Sequence, residues 1–426
     1  MMRRGRRLSG AADVDDVRAP RPGGARPARA GDPYGIGPAT TLIAPILSVA
    51  GLVVIAWLSL SLLSGKLPFA LGGNPGASGA PPGAEKTPTP SNVVVVPSTR
   101  PEDRLIGTIV YAKVGNLWIE DANGARQITS TGRDSMPSFS PDGKWIYFVE
   151  ARDDADRFSL RGKPSRTYDL TYPIIERVHL DGSGRQRILS GLFHSNAGTW
   201  FYWLRQPELS PNGRTIALIS DGPDPTNSNV VLQFYDMTTK KLTRAGVPEF
   251  PPLGHQDPTW SPDGATLLYV KNGRDGARGA PQIYRYVFKT RKLTALTGPG
   301  YNSPRYSPDG RYVLATKTST LGTDVVILDA RNGAELVRVT DDSHSWGAVW
   351  SPAGDAVAFL HIDAGVTDLE RVSLGGQPGR WTVGAPVPLT ANAGLDGASH
   401  PDWFIPADQL PTPSPAAPAS PAPSGS

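Results

Sequence analysis

The chain has 426 residues, of which 39% are hydrophobic, so it can form one large domain with tails but not a protein of many membrane spans. It contains no cysteine, which excludes disulfide bonds, thiolate metal sites, thiol catalysis and lipids attached through cysteine. The net charge of +4 lies in residues 1–38, which hold eight Arg and four Asp. Subtracting these from totals of 43 and 39 leaves 35 basic and 35 acidic residues, a balance that argues against nucleic-acid binding.

The first 38 residues are rich in Arg, Gly, Pro and Ala, a composition that predicts a disordered tail. An uncharged, largely apolar run follows over residues 39–64. As a helix it would reach roughly 39 Å, enough to cross a hydrocarbon core of about 30 Å with some tilt. We interpret it as one transmembrane helix, because a buried core helix of this kind would be shorter and would have a polar face.

A cleaved signal peptide is the stronger alternative for this run. Its apolar region should be shorter, and a cleavage site of small residues should follow closely, whereas in this chain Lys66-Leu67-Pro68 follows. The eight arginines precede the span, and only Lys66 and Lys86 follow it before residue 100. The positive-inside rule therefore places the N-terminus in the cytoplasm and the rest of the chain outside the cell membrane.

Two further segments are of low complexity. Residues 65–103 are rich in Gly, Pro, Ala and Ser and predict an extended linker, and residues 406–426 form a second tail of this kind. Neither can bury a core. The region between them, residues 104–405, is predicted to be the folded domain.

A short turn motif, Ser-Pro-Asp-Gly or a close variant, recurs five times after a large apolar residue. Its serines are 70, 51, 46 and 44 residues apart, a spacing typical of one four-stranded propeller blade. Proline presets φ at the second turn position, Asp or Asn favours the third, and Gly relieves the fourth. The copies occupy residues 139–143, 209–213, 260–264, 306–310 and 350–354.

An apolar strand follows each turn, and the two ends of the region complete the pattern. Residues 105–130 supply the second to fourth strands of a blade without a first strand. The stretch His400-Pro401-Asp402-Trp403 matches the first-strand stretch Asp257-Pro258-Thr259-Trp260. The last strand is therefore predicted to join the first blade, which closes a ring of six blades and removes the open sheet edges.

These turns and strands resemble the repeats of TolB-like propellers, over about 300 of the 426 residues. The resemblance implies an all-β fold, a six-bladed β-propeller of four-stranded blades. TolB itself has an α/β domain before its propeller, whereas this chain has the predicted anchor and linker. The partner of TolB, a peptidoglycan-associated lipoprotein, is therefore not carried over, since one fold serves many functions.

In propellers of this kind, the loops that lead into the innermost strands ring one mouth of the central channel. This register predicts a ring of polar binding residues there. Three of them are histidines, which could in principle share a metal ion, although their spacing from the aligned aromatic residue differs. The predicted mouth residues are Asp134, Arg205, Gln206, His255, Asp257, Asn302, His344 and His400.

Two insertions break the repeat. The first, residues 151–171, is highly charged, and the second, residues 191–206, is aromatic. Aromatic residues in a long loop are typical of a recognition surface, but an extra strand that packs its rings on the propeller explains them equally well. The residues concerned are Phe193, Trp200, Phe201, Tyr202 and Trp203.

The sequence contains no Gly-x-Ser-x-Gly elbow, no Walker loop and no His-Glu-x-x-His motif. We therefore expect a non-catalytic, membrane-anchored binding platform outside the cytoplasm, without a cofactor or bound metal. Its expected partner is a protein, peptide or glycan of the cell envelope, and its oligomeric state stays open. One alternative is an enzyme at the channel mouth, such as a metal-dependent polysaccharide lyase; another is a signalling or sensor protein.

Overall fold

The computed structural model describes residues 105–158, 166–195, 198–222, 229–248, 254–272 and 280–410. Within these ranges no helix is long and apolar enough to cross a membrane. The predicted span and linker, and most of the predicted C-terminal tail, lie outside the described residues. The described strands form six main sheets arranged as the blades of a propeller, as the sequence predicts.

The first three blades come from the N-terminal half of the domain and the last strand of the chain. Each of them has four strands. Blade 1 contains β1 (Thr108–Lys113), β2 (Asn116–Asp121), β3 (Gly124–Gln127) and β27 (Asp402–Phe404). Blade 2 contains β4 (Asp134–Phe139), β5 (Trp145–Phe158), β6 (Arg166–His179) and β7 (Gln186–Ser190), and a separate hairpin follows, of β8 (Leu192–Ser195) and β9 (Gly198–Phe201). Blade 3 contains β10 (Arg205–Leu209), β11 (Thr215–Ser220), β12 (Val231–Asp236) and β13 (Leu242–Arg244).

The other three blades follow without interruption. Blade 4 contains β14 (His255–Trp260), β15 (Thr266–Asn272), β16 (Pro281–Val287) and β17 (Lys292–Ala295). Blade 5 contains β18 (Tyr301–Tyr306), β19 (Tyr312–Thr318), β20 (Thr323–Asp329) and β21 (Glu335–Arg338). Blade 6 contains β22 (Ser345–Trp350), β23 (Ala356–Asp363), β24 (Val366–Gln377), β25 (Arg380–Val383) and β26 (Val387–Pro388).

The hydrophobic core lies between the blades. In the described part of the chain, a cluster of buried side chains occupies each of the six interfaces between neighbouring blades. The second strand of a blade supplies side chains to the interfaces with both neighbouring blades, because alternate residues point to opposite faces of the sheet. In β19, for example, Val313 packs toward blade 4 and Leu314 toward blade 6. Burial on both faces explains why these strands are continuous apolar runs.

The Ser-Pro turns join the first and second strands of five blades, and all have one design. In each copy the glycine N–H donates to the serine carbonyl at 2.8 Å. The glycine has a positive φ of 67–76°, which a side chain would disfavour. In Ser261 the hydroxyl donates to Asp263 at 2.6 Å and accepts from the backbone N–H of Thr266 at 2.9 Å. These serines are structural, because their hydroxyls hold the turn together.

The ring is closed without a covalent bond. Strand β27 pairs antiparallel with β1 and places Trp403 opposite Ile109. The Trp403 ring is buried between blades 6 and 1, and its Nε1–H donates to the carbonyl of Ile106 at 2.9 Å. The predicted clasp between the C-terminal strand and the first blade is therefore confirmed.

Two ends of the propeller can now be distinguished. The end that carries the Ser-Pro turns is called the turn face. The opposite end, where the innermost strands begin, is called the mouth face. Both insertions predicted from the sequence emerge there: the charged one extends the β5–β6 hairpin, and the aromatic one forms β8 and β9.

Candidate functional site at the channel mouth

The innermost strands of blades 2 to 6 share one irregularity. In each, two residues oppose a single residue of the second strand, so the strand bulges at the same height. The first residue of each bulge has a left-handed backbone, with φ between 49° and 61°. These residues are Met136, Gln206, Asp257, Ser303 and Gly347.

Proline accounts for the bulge in most blades. A proline follows the left-handed residue in blades 2 to 5, and Pro401 follows His400 in blade 1. Proline has no N–H for the sheet ladder, so it is excluded from regular pairing and tolerated at a bulge. The bulge turns the preceding side chain away from its place in the sheet. The six blades therefore contribute one side chain or glycine each to an upper ring in the channel.

Asp257 connects several members of the upper ring and is almost completely buried. Its Oδ1 accepts a hydrogen bond from the Gln206 side-chain amide, whose oxygen in turn accepts from the Asp257 backbone N–H at 3.0 Å. Its Oδ2 accepts from the Ser303 backbone N–H at 3.1 Å. Three blades are thus joined through one carboxylate.

His400 completes the ring from blade 1. Its Nε2 lies 3.3 Å from the Ser303 hydroxyl, and its Nδ1 lies 3.8 Å from Asp257 Oδ1. Burial lowers the pKa of His400, and the Asp257 carboxylate partly opposes that effect. The His400 imidazole packs against Gly347 of blade 6, where an added Cβ atom would lie 3.2 Å from the imidazole.

A lower ring lies two residues further along the innermost strands. Glu208 accepts from Arg305 Nη1 at 2.9 Å and from the Trp260 backbone N–H at 2.9 Å. Asp402 accepts from the Phe139 backbone N–H at 2.7 Å. Burial raises the pKa of both carboxyl groups, while the Arg305 charge opposes the shift at each.

Little space is left in the channel at the level of the two rings. The space left between Gln206, Asp257, Arg305, His400 and their neighbours is a cavity of about 20 Å³. That is room for about one water molecule. The channel centre is therefore a hydrogen-bonded plug, and a larger ligand would have to bind at the mouth above it.

The predicted mouth residues divide into two groups. The structure brings Gln206, Asp257 and His400 together in the plug, with the Asn302 side chain accepting from the Ser303 hydroxyl at 3.0 Å. Asp134, by contrast, is fully buried within blade 2, where Arg185 donates to it at 2.9 Å.

The remaining three lie apart from the plug. Arg205 is half-buried at the start of β10, opposite Ile219. His344 is exposed, with its ring 6.3 Å from that of His361. His255 is buried beside blade 3, where its Nδ1 accepts from the Leu232 N–H at 2.9 Å and its Nε2 lies 3.2 Å from the Pro248 carbonyl.

The three mouth histidines therefore have three different environments. Burial lowers the pKa of His255 to about 4, which keeps this ring neutral and hydrogen-bonded inside the fold. Among the described residues, no group of three or more His, Asp or Glu side chains has the geometry of a metal site.

The aromatic insertion combines packed and exposed rings. Phe201 packs on the small cluster of Tyr172 and Ile174, and Tyr202 lies against blade 2 with its ring 5.5 Å from Phe193. Trp203 is 49% exposed, and its backbone N–H donates to Asp221 at 2.7 Å. Trp200 belongs to β9, and its side chain lies outside the described part of the structure.

Apolar side chains on the mouth face were not predicted. The three most exposed large hydrophobic residues of the described ranges, apart from those beside the chain ends, are Val114, Trp203 and Leu321. Each belongs to a different loop of the mouth face. Val114 is 76% exposed and has a φ of 48°, a conformation that a β-branched residue rarely adopts.

A sequence signal for the plug did exist. A proline stands two residues before the large apolar residue of five innermost strands, at positions 137, 207, 258, 304 and 401. The residue before each proline belongs to the upper ring, and the residue after it belongs to the lower ring. The position of this proline indicates Glu208, Arg305 and Asp402, which loop position alone does not indicate.

Comparisons with known proteins agree on the fold. No family model matches the chain. An uncharacterized protein of Agrobacterium fabrum is 32% identical over 148 residues, which cover 33% of this chain and 40% of that protein. A TolB-type protein of Agrobacterium tumefaciens is 18% identical with a TM-score of 0.50, and the match covers 72% of this chain and 96% of that structure.

TolB from Acinetobacter baumannii is 22% identical with a TM-score of 0.48, over 70% of this chain. The chain spans 66% of that TolB and well under half of the curated relative. The likeness to the Agrobacterium tumefaciens structure and the sheet topology show the fold: this chain contains a TolB-like six-bladed β-propeller.

Proposed function

We propose that the protein is a non-catalytic binding platform whose mouth face captures a protein or peptide of the cell envelope. The observation that carries the proposal is that the three most exposed large hydrophobic side chains of the described residues all lie on the mouth face. Val114, Trp203 and Leu321 stand in three separate loops around one end of the propeller. Exposed apolar groups gathered at one end of a soluble domain mark interaction sites, and Trp is a frequent hot-spot residue.

The loops hold these side chains in place. Hydrogen bonds fix the backbone of Trp203 to Asp221, and its ring meets Phe201 edge to face with centroids 5.8 Å apart. Leu321 stands in a closed turn, in which Ser319 N–H donates to the carbonyl of Gly322 at 2.8 Å. A preformed surface binds with a smaller entropic cost than one that must be ordered on binding.

The plug favours binding over channel chemistry. A sugar unit of a polysaccharide substrate needs far more room than the cavity of about 20 Å³. The polar groups of the upper ring are also already hydrogen-bonded to one another. These contacts support a rigid mouth floor rather than a set of free acid and base groups.

The membrane anchor over residues 39–64 and the position outside the cytoplasm belong to the proposal on sequence grounds alone. A protease added to spheroplasts of the producing cells tests the topology. We expect digestion of the propeller from outside while a cytoplasmic marker stays intact. Protection of the propeller until the membrane is broken would contradict this orientation.

Cross-linking of the full chain in its native membrane tests the mouth face. We expect a dominant envelope partner with the unmodified chain and a severalfold lower yield with Trp203→Ala. Leu336→Ala is a matched control, because Leu336 is 39% exposed but lies on the outer strand β21. Equal yields from all three chains would overturn the assignment of the binding face.

A further inference from the structure

A groove of about 530 Å³ opens on the turn face between blades 4 and 5. Its volume is in the range of small-molecule sites. Cations and apolar groups line it together. The lining includes Pro262, Arg285, Lys292, Tyr306, Ala330 and Arg331.

Aromatic rings line the equivalent grooves at two other interfaces, and the groove between blades 3 and 4 has a smaller volume of about 340 Å³. Between blades 3 and 4, Trp260 stacks on Phe288 with centroids 5.1 Å apart and also contacts Phe234. Between blades 5 and 6, Trp381 meets Tyr312 edge to face at 4.6 Å. The groove between blades 4 and 5 has no such pair of rings among the residues that line it.

Two substitutions within the repeat explain the difference. Ala330 stands at the register of Phe288, since each donates its backbone N–H to the residue before the second strand of its blade. Phe234 lies opposite Thr243 in blade 3, and Arg285 lies opposite Thr294 at the same register in blade 4. A guanidinium therefore occupies the place of a phenyl ring.

The guanidinium of Arg285 is held in position by the backbone. Its Nη1 donates to the Ala330 carbonyl at 2.7 Å, and its Nη2 donates to the Arg331 carbonyl at 3.2 Å. Arginine has five N–H donors, so these two bonds use fewer than half of them. Neutral carbonyls orient the group, and among the described residues no carboxylate lies within ion-pair distance of it.

Two more cations line the groove. Lys292 is exposed on β17 opposite Val287, and Arg331 forms an ion pair with Asp329 at 2.7 Å. The groove also contains the carboxylates of Asp263 and Asp309. Each is held in its own turn, by a serine hydroxyl at 2.6 Å and by a backbone N–H.

We propose that this groove is a binding site for a small molecule that carries an oxyanion, either a carboxylate or a phosphate. Arg285 would donate to the oxyanion, with Lys292 adding charge at the rim. Arginine suits this task because its planar donors match the geometry of both groups. The Tyr306 ring, Pro262 and Ala330 offer an apolar wall for the body of the ligand.

Calorimetric titration of the purified full chain with inorganic phosphate and, separately, with glucuronate tests the site. The two probes distinguish a phosphate ligand from a sugar carboxylate. We expect saturable binding of at least one probe, about tenfold weaker in Arg285→Met, as expected for the loss of a charged hydrogen bond. Lys292→Met should weaken the same binding severalfold, and this exposed change leaves the fold intact.

Lys241→Met is the matched control. Lys241 stands at the end of the equivalent groove of blade 3, where it precedes β13 as Lys292 opens β17. Its removal should leave the affinity unchanged. The proposal is overturned if neither probe binds saturably, or if Arg285→Met and Lys292→Met bind the probes as tightly as the unmodified chain does.

Discussion

The turn face and the mouth face are built from the same six blades but follow different rules. On the turn face, one five-residue design recurs with the same hydrogen bonds and the same left-handed glycine. On the mouth face, the loops differ in length, and most of the described left-handed residues other than glycine lie at that end, although Lys240 and Arg291 lie on the turn face. Regular turns set the scaffold, while most strained positions and the most exposed apolar side chains lie at the end where we propose binding.

Removal of the clasp should have the largest effect on stability, because the turn face and the mouth face both depend on a closed ring. Truncation after residue 395 removes β27, His400 and the Trp403 ring from blade 1. We expect the truncated chain to aggregate or to unfold without a cooperative transition, as an open sheet edge and an unfilled core interface would dictate. Thermal unfolding and gel filtration measure this.

The control for the clasp is truncation after residue 410, which keeps every described element. It should unfold at the temperature of the full chain. A protein cut after residue 395 that matched both in solubility and melting temperature would show that ring closure contributes nothing.

The two ends of the propeller should lose their contributions to the free energy of unfolding at different acid pH values. His255 at the mouth end has its pKa lowered by burial from 6.5 to about 4. Between these values the unfolded chain binds a proton that the folded chain does not, so the free energy of unfolding falls with falling pH. The contribution is about 3 kcal/mol, present above pH 6.5 and lost as the pH approaches 4.

The turn carboxylates act at lower pH. The Ser261 hydroxyl lowers the pKa of Asp263 below 3.8, so its contribution is lost only in stronger acid. Glu120, whose pKa burial raises to about 7, opposes the His255 effect, because its stabilisation is lost as pH rises through 7. The effect of His255 must therefore be measured as the difference in unfolding free energy between the unmodified chain and a variant that lacks this histidine.

We expect the difference in unfolding free energy between the unmodified chain and His255→Gln to shrink from pH 7 to pH 4. Urea unfolding at several pH values measures it. His344→Gln removes an exposed mouth histidine and serves as the control, with little change expected in the free energy of unfolding at pH 7. Parallel pH profiles for the unmodified chain and His255→Gln would refute the assignment of this acid sensitivity.

Relief of strain on the mouth face should give the smallest effect. Val114 and Gly115 form a two-residue hairpin turn in which both φ values are positive, at 48° and 66°. Asparagine tolerates this conformation far better than valine does. Val114→Asn should therefore raise the free energy of unfolding by about 1 kcal/mol.

Val114→Thr is the control, because threonine is β-branched and keeps the strain while losing apolar surface. It should not be stabilised. If the mouth face binds a partner, both changes should lower capture of that partner in the cross-linking assay. Equal stability of all three chains would show that the Val114 conformation carries no strain.

The sequence predicted the parts of the fold that repeat. Each Ser-Pro turn, the apolar strand after it and the clasp at Trp403 follow from local chemistry recorded several times along the chain. The channel plug follows from packing between blades. Asp257 and Gln206 are 51 residues apart, and the proline that follows each marks a place in the upper ring without indicating that these two side chains pair.

Local position also placed some residues together that the fold separates. His255 stands five residues and His400 three residues before the aligned tryptophan, and one ring is directed between blades and the other into the channel. The bulge decides this, since it rotates the residue before the proline and leaves its neighbours in the sheet. The spacing of the repeats along the sequence does not indicate that each of these strands contains one extra residue at a bulge.

The closure of blade 1 also fixes where the chain enters and leaves the domain. Leu105 precedes the first residue of β1, and Ile405 follows the last residue of β27; both pack in the same cluster at the turn face. A tag, a capture surface or a tether attached through either end therefore joins the propeller on that side. The mouth face is then left clear, so an immobilised protein could present its three apolar loop residues to a partner without obstruction from its own attachment.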